Sequence, residues 1–240
     1  MGRAFELRKG RKMKRWSAMA KTFTRIGKDI VMAIKDGGPN PDTNSRLRAV
    51  MQNAKAANMP KDNVERAIKK AADKDTSDYK EALFEGYAPH GIAIVVETAT
   101  DNNNRTVANV RAIFNKCDGN LGTSGSVVFM FDRVCNFTVK KEDIKVDLEE
   151  LELELIDFEV EEVFADEEDS SVMLYAPFEQ FGAIQKYLEE NNIEILSSEF
   201  ERIPTTTTAI SDEQKEEVNK LLERLEEDDD VNNVYHSMEE

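Results

Sequence analysis

The sequence has few of the side chains that usually carry metal or nucleophilic chemistry. Two cysteines, Cys117 and Cys135, and two histidines, His90 and His236, occur in 240 residues. The cysteines form neither a CxxC pair nor a Cys/His cluster, so neither a disulfide framework nor a common zinc site is indicated. So few histidines also argue against a His-rich metal cage or a Ser-His-Asp triad. Carboxylates are numerous, but no pattern singles out a general acid and base. We therefore predict a protein that is not an enzyme and that needs no metal and no cofactor.

Long apolar runs are missing as well. No stretch approaches the roughly 18 apolar residues that a transmembrane helix needs, and no apolar segment follows the basic start as it would in a signal peptide. We therefore expect a cytoplasmic protein with no membrane partner and no small-molecule substrate. An organelle-targeting or nuclear-import signal is the alternative interpretation of the basic start.

Positive charge is concentrated at one end of a strongly acidic chain. The formal net charge is -16, yet residues 1–80 contain 20 Lys or Arg and 9 Asp or Glu, a balance of +11 that leaves -27 for the remainder. The stretch from Leu7 to Phe23 has seven Lys or Arg and no Asp or Glu. Because a negative body repels polyanions, any attraction to nucleic acid must be local and must act through the N-terminal part.

Three amphipathic helices are predicted in this basic part. The second follows the helix-starting residues 41–44, and the third begins near Pro60, which suits the first turn of a helix. The first helix ends at Gly37-Gly38-Pro39. Its apolar stripe recurs at intervals of three and four residues and consists of Met19, Phe23, Ile26, Ile30 and Ile34.

A basic leader, residues 7–15, and the outer faces of these helices form the predicted nucleic-acid-binding surface. Ordinary solvation explains a single charged helix face, but three basic helices in succession behind a basic leader favour phosphate binding. The candidate residues are Arg8, Lys9, Arg11, Lys12, Lys14, Arg15, Lys21, Arg25, Lys28, Lys35, Lys61, Arg66, Lys69 and Lys70.

Beyond residue 76 the pattern changes to alternating strands and helices. The segment after Pro204 is too small to bury its own apolar face, so we expect it to complete the preceding unit. The predicted fold class is α+β. It comprises a basic helical domain at 1–76, a middle α/β domain built from the discontinuous segments 77–134 plus 205–240, and an acidic α/β domain at 135–204, in which two helices lie against a small antiparallel sheet.

Three polar motifs have a structural and a functional interpretation. The glycine-rich "GNLGTSGS" lacks the Gly-Lys-Ser/Thr ending of a phosphate-binding loop and leads into a strand, so a helix-to-strand turn is favoured. The run "TDNNNRT" contains Asp and Asn, which are common calcium ligands. However, Arg105 stands where a calcium-binding loop requires a ligand, and the glycine of such a loop is missing, so helix capping is favoured. The acidic run 226–230 is typical of a solvated turn.

Long segments of the chain resemble the YebC family of small bacterial regulators and their mitochondrial translational-activator relatives. The resemblance rests on "LRAVMQNAKAANMPKDNVERAIKKA", "FEGYAPHGIAIVVETATDNNNRTVANVRAIFNK", "GNLGTSGSVVFMFDR" and "DDDVNNVYHSM". It implies three domains, a helical one and two α/β ones, and no enzymatic activity. Some members are described as DNA-binding transcriptional regulators, and others as translation factors that act on the ribosome at proline-rich nascent chains.

Two segments depart from the family pattern. Many members open with a short Gly-His-Ser-Lys-Trp start, whereas here Trp16 follows the longer leader "GRAFELRKGRKMKR". The "YGPGG" turn common in the family is replaced by residues 87–91, "YAPHG", which lack two of its glycines.

Three classes of function remain open at this point. The first is a DNA-binding transcriptional regulator, and the second is a translation factor that binds ribosomal RNA and the ribosome. Charge alone does not separate them, because attraction to phosphate is independent of sequence. The third is an acidic protein-interaction module whose basic helices merely pack on its own acidic domains.

Overall fold

Three helices come first in the part of the chain that the structure describes. The computed structural model describes residues 19–72, 78–166 and 170–239. The helices are α1 (Met19–Gly37), α2 (Ser45–Ala56) and α3 (Lys61–Ala72). Their shared core includes Ile26, Ile30, Ile34, Leu47, Ala54, Val64 and Ala71. The three predicted helices and the predicted end of α1 at glycine are therefore confirmed.

Asn44 joins the first two helices at the turn between them. Its side-chain oxygen accepts a hydrogen bond from the backbone N–H of Leu47 at 3.0 Å, which caps α2. Its amide nitrogen donates to the carbonyl oxygens of Ala33 at 2.7 Å and Gly38 at 2.8 Å, near the end of α1. One buried side chain thus caps the start of α2 and binds two carbonyl groups near the end of α1.

Strands and helices alternate through the rest of the chain. The strands and helices up to residue 140 are β1 (Lys80–Tyr87), β2 (Ala93–Thr100), α4 (Asn103–Lys116), β3 (Asn120–Leu121) and β4 (Phe131–Lys140). Those after it are α5 (Leu148–Glu154), β5 (Glu162–Asp166), β6 (Ser171–Pro177), α6 (Phe181–Glu190), β7 (Ile195–Pro204), α7 (Asp212–Glu227) and β8 (Val231–His236).

The first sheet combines strands from distant parts of the sequence. Its order is β3-β1-β2-β8, and every pairing is antiparallel. Helices α4 and α7 cover one face, where Val110 and Phe114 meet Val218 and Leu221 in a buried core. Because β8 adds to β2 after more than a hundred intervening residues, this sheet is built from discontinuous segments.

The second sheet has the order β5-β6-β4-β7 and is also antiparallel. Helices α5 and α6 pack on one of its faces, with Leu151, Leu155, Ile184 and Leu188 buried against the strands. The predicted arrangement of two helices on a small antiparallel sheet is therefore confirmed, and the fold class is α+β. On this topology we propose domain limits at 1–76, 77–134 plus 205–240, and 135–204.

In the part of the chain that the structure describes, no helix is both long and apolar enough to cross a membrane.

Candidate nucleic-acid interface

The predicted basic surface divides into groups with different surroundings. Six of its residues, Arg8, Lys9, Arg11, Lys12, Lys14 and Arg15, lie outside the described residues. The other eight lie on α1 and α3. They occupy three different environments, which are described in turn below.

Three cations of α1 lie close to the rest of the protein. The ammonium of Lys21 donates to the backbone oxygen of Glu226 at 3.1 Å. Lys35 forms an ion pair of 2.6 Å with Asp78, just before β1. Arg25 is half-buried. On the same helix, burial raises the pKa of Asp29 to about 6, although Arg46 opposes the shift. Its carboxylate is therefore mostly charged at neutral pH and lowers the net positive charge of α1.

Lys28 lies inside the protein. Only 6% of it is exposed, and its ammonium donates to the carbonyl oxygens of Ala99 at 2.9 Å and Asp229 at 2.5 Å. The carboxylate of Asp230 lies 3.6 Å from the same nitrogen, and the ring of Tyr79 lies 5.4 Å away. Helical periodicity placed Lys28 on an outer face, but that side of α1 packs against the first sheet. Lys28 is therefore not part of an exposed basic surface.

Asp230 is the centre of a polar group, which we call the Asp230 cluster (Lys28, Thr100, Arg105, Thr106 and Asp230), and Arg105 is its exposed member. Arg105 donates to both oxygens of its carboxylate at 2.8 and 3.0 Å. The Thr106 hydroxyl lies 2.8 Å from Oδ2 and the Thr100 hydroxyl 3.3 Å. Burial opposes ionisation of Asp230, but the hydrogen bonds from Arg105 and Thr106 outweigh it, so its pKa lies below the ordinary value.

The Asp230 cluster corrects one sequence expectation and completes another. The acidic run 226–230 was expected to be a solvated turn, whereas Asp230 is 5% exposed. The "TDNNNRT" motif does cap a helix, because the Asn102 side chain accepts from the backbone N–H of Arg105 at 3.2 Å. The same Arg105 also binds Asp230, a partner more than a hundred residues away in sequence. No local pattern connects these two positions.

Helix α2 carries cations that sequence analysis did not select. Arg48 binds Glu189 at 3.0 Å, and Lys55 binds Glu194 at 2.9 Å. Both carboxylates belong to the region of the second sheet. Between them, Asn53 exchanges two hydrogen bonds with the backbone of Ser198, at 2.6 and 2.9 Å. The cations of α2 therefore attach the helical region to the acidic part of the chain, as the third functional hypothesis expected for the basic helices.

The outer face of α3, defined by Lys61, Arg66, Lys69 and Lys70, differs from these surfaces. All four residues are exposed. Lys61 lies 3.6 Å from Glu65, one turn along the same helix. Arg66 donates to the backbone oxygen of Asp62 at 3.2 Å and to the side chain of Asn63. These contacts stay within α3, so they leave the face accessible to a large anion.

The glycine-rich loop binds an anion that the protein itself supplies. The carboxylate of Glu85 accepts hydrogen bonds from the backbone N–H groups of Gly125 at 2.6 Å and of Val127 and Val128 at 2.7 Å each. We call this group the Glu85 cradle. Gly125 has a φ of +82°, a left-handed conformation that glycine adopts without strain. Since Glu85 occupies these donors, the loop is not a phosphate site, which agrees with the sequence interpretation.

Burial opposes ionisation of Glu85, of which only 2% is exposed, yet its pKa lies below the ordinary value. The three backbone hydrogen bonds favour the charged form more strongly than burial disfavours it. The cradle therefore contains a fixed negative charge.

The turn that departs from the family pattern keeps a left-handed backbone. His90 has a φ of +65° and Gly91 a φ of +77°. The His90 ring is fixed by contacts with Glu217 at 2.8 Å and Gln214 at 3.2 Å, both on α7. Side-chain contacts thus accompany a conformation that is uncommon for residues other than glycine.

The sequence matches two family models over most of its length. Residues 3–74 match the description "TACO1/YebC protein N-terminal domain", and residues 79–238 match "TACO1/YebC second and third domain". A protein from Flavobacterium johnsoniae, named "Probable transcriptional regulatory protein", is 71% identical over 240 residues and covers 100% of both chains. A protein of the same name from Parabacteroides distasonis is 62% identical, over 100% of this chain and 98% of its own.

A solved structure has a similar fold. The crystal structure of a conserved hypothetical protein from Aquifex aeolicus superposes with a TM-score of 0.75 at 38% sequence identity, covering 92% of this chain and 90% of that chain. The similarity therefore extends through the helical region and both sheets.

Proposed function

The chain belongs to the TACO1/YebC family, and from this premise we propose that it is a non-enzymatic, DNA-binding regulator of transcription that acts in the cytoplasm. The name shared by its relatives in Flavobacterium and Parabacteroides supports a role in regulating transcription. Binding of DNA is our inference from charge and geometry.

The outer face of α3 is the observation that carries the proposal. Its four cations are exposed, and the ion pair of Lys61 and the hydrogen bonds of Arg66 stay within their own helix. In contrast, Lys28, Lys35, Arg48 and Lys55 bind carboxylates or carbonyls elsewhere in the protein. Since the chain beyond residue 80 has a charge of -27, a polyanion that approaches the protein is directed toward this face and the basic leader.

Phosphate contacts dominate the proposed interaction. Lysine provides a point charge without a fixed pattern of donors, and three of the four cations on α3 are lysines. Recognition of bases requires side chains that match donors and acceptors in the grooves. We therefore propose that α3 fixes the protein on the nucleic-acid backbone and that binding depends strongly on salt.

A double substitution on α3 tests the proposed surface. For Lys69→Gln/Lys70→Gln we expect the slope of log K against log salt for duplex DNA to become shallower by about 0.9 for each phosphate that the variant no longer neutralises. The matched control is Lys145→Gln/Lys186→Gln, which removes the same charge from exposed positions near α5 and α6. A DNA titration at several salt concentrations measures both.

Equal slopes for the α3 variant, the control and the original protein would exclude α3 as the binding surface. The same three proteins in ribosome co-sedimentation address the alternative target. An effect of the α3 variant on ribosomes but not on duplex DNA would replace transcription with translation as the proposed process.

The basic leader provides a second test. A chain shortened to residues 17–240 is expected to stay folded and to bind several-fold more weakly at moderate salt, because a basic arm adds phosphate contacts to a body that is already docked. One melting curve and one DNA titration for each chain are sufficient. Equal binding by the two chains would leave the leader a targeting signal or a solvated end.

A further inference from the structure

Two large apolar side chains are exposed at the end of α5. Leu153 is 69% exposed, and Ile156, three residues later, is 65% exposed. Residues three apart in a helical segment lie side by side on its surface. Leu151 and Leu155 of the same segment are 1% and 0% exposed and fill the core under the second sheet. Leu151 and Leu155 therefore supply the contribution of this segment to the core. Leu153 and Ile156 form a separate apolar surface that faces solvent.

The charge around this pair is strongly negative. Residues 146–185 contain 14 Asp or Glu and no Lys, Arg or His, and Lys145 and Lys186 are the cations that flank this range. Glu149, Glu152 and Asp157 are exposed and lie within four residues of Leu153 or Ile156. Nucleic acid and anionic lipid are repelled by such a surface. An occupant must carry positive charge and apolar side chains together.

The protein already shows how this region binds a cationic helix. Arg48 and Lys55 of α2 bind Glu189 and Glu194 beside the second sheet. The contact of α2 uses β7 and the end of α6, whereas the exposed apolar pair lies on α5 and the helical turn that follows it. The same charge complementarity can therefore act a second time, on a surface that α2 does not use.

We propose that Leu153, Ile156, Glu149, Glu152 and Asp157 form an acidic-apolar patch that binds a cationic amphipathic helix of a partner protein. The two apolar side chains contact the apolar face of that helix, and the carboxylates pair with its Lys and Arg residues. This inference goes beyond the proposed function, because it gives the protein a second binding surface of opposite charge to α3.

Binding of a short synthetic amphipathic helix of Leu and Lys tests the patch. Fluorescence anisotropy with the labelled peptide and the full-length protein is expected to show binding that Leu153→Ser/Ile156→Ser weakens about tenfold. Phe129→Ser is the control, because Phe129 is a large apolar side chain that is 73% exposed outside the patch. A second peptide with Ser in place of Leu and the same charge is expected to bind weakly to every variant.

Three results with the two peptides and the apolar variants would overturn the proposal. These are no binding of the Leu/Lys peptide to the original protein, equal weakening by Leu153→Ser/Ile156→Ser and Phe129→Ser, and equal affinity for the Leu-containing and Ser-containing peptides. Melting curves check that each variant is folded. Glu149→Gln/Glu152→Gln leaves the apolar pair in place, and it is expected to weaken binding and flatten its salt dependence. Unchanged binding by this variant also contradicts the patch.

Discussion

Replacing Asp230 with alanine is expected to lower the free energy of unfolding by about 3–5 kcal/mol, the range typical of a buried ion pair that loses one partner. Lys28 is 6% exposed, and its ammonium would lose its nearest carboxylate. Thr106, which is fully buried, would lose the acceptor at 2.8 Å. The change falls where α1 meets the first sheet, so the position of the helical region would change together with stability.

Asp229→Asn is the matched control for this substitution. Asp229 is adjacent in sequence and has an exposed side chain, and its contact with Lys28 uses the backbone oxygen, which asparagine keeps. Urea unfolding at pH 7 is expected to separate Asp230→Ala from this control. Indistinguishable midpoints would show that the Asp230 cluster does not stabilise the native state.

The Asp230 effect is expected to depend on pH. The folded pKa lies below the ordinary value of 3.8, so the charged carboxylate contributes stability above about pH 4. That contribution is lost as the pH falls through the folded pKa. The difference between Asp230→Ala and the original protein should therefore be large at pH 7 and should shrink in strong acid.

Replacing Glu85 with alanine is expected to destabilise the protein by about 1–3 kcal/mol, the cost of leaving the buried N–H of Val127 without an acceptor. The backbone N–H groups of Gly125, Val127 and Val128 would lose their acceptor together. The cost is largest for Val127, which is buried, and smaller for Gly125 and Val128, because water can reach an exposed or half-buried donor. Hydrogen exchange is the direct measurement, because these three amides should lose protection while the amides of the second sheet keep theirs.

Two further variants sharpen the Glu85 test. Glu85→Gln keeps one acceptor oxygen but directs an NH₂ group toward N–H donors, so an intermediate destabilisation is expected. Glu81→Ala removes an exposed carboxylate from the same strand and is expected to cost less than about 1 kcal/mol, as is usual for surface ion pairs. Unchanged exchange at the three amides in Glu85→Ala would show that another group organises the loop.

Local periodicity was sufficient to predict much of the fold. The intervals of three and four residues in α1 and the alternation of strands with helices later in the chain depend only on which side of an element is buried. These patterns predicted the three N-terminal helices and the two-helix layer on the second sheet. The glycine-rich loop was predicted to be a turn between a helix and a strand for a different reason, because its sequence lacks the lysine of a phosphate site.

Contacts between distant segments could not be predicted in the same way. A helix has a side that faces solvent and a side that faces another domain, and both can carry lysine. Lys28 binds beside Asp230, and Arg48 and Lys55 bind beside the second sheet, although their spacing resembles that of solvated cations. The role of Glu85 could not be predicted from the sequence either, because its partners are backbone N–H groups about forty residues away.

The pairing of β8 with β2 also determines when the protein can finish folding during synthesis. Ile94 pairs with His236, so the first sheet lacks an edge strand until residue 236 has left the ribosomal tunnel. The strands of the second sheet all lie between residues 131 and 204 and are available earlier. Since domains generally fold as units during translation, the second sheet can fold before the first sheet, although β1 and β2 of the first sheet come earlier in the sequence. Until then, the β2 edge and the Ile94 side of the first sheet stay exposed to chaperones and to other nascent chains.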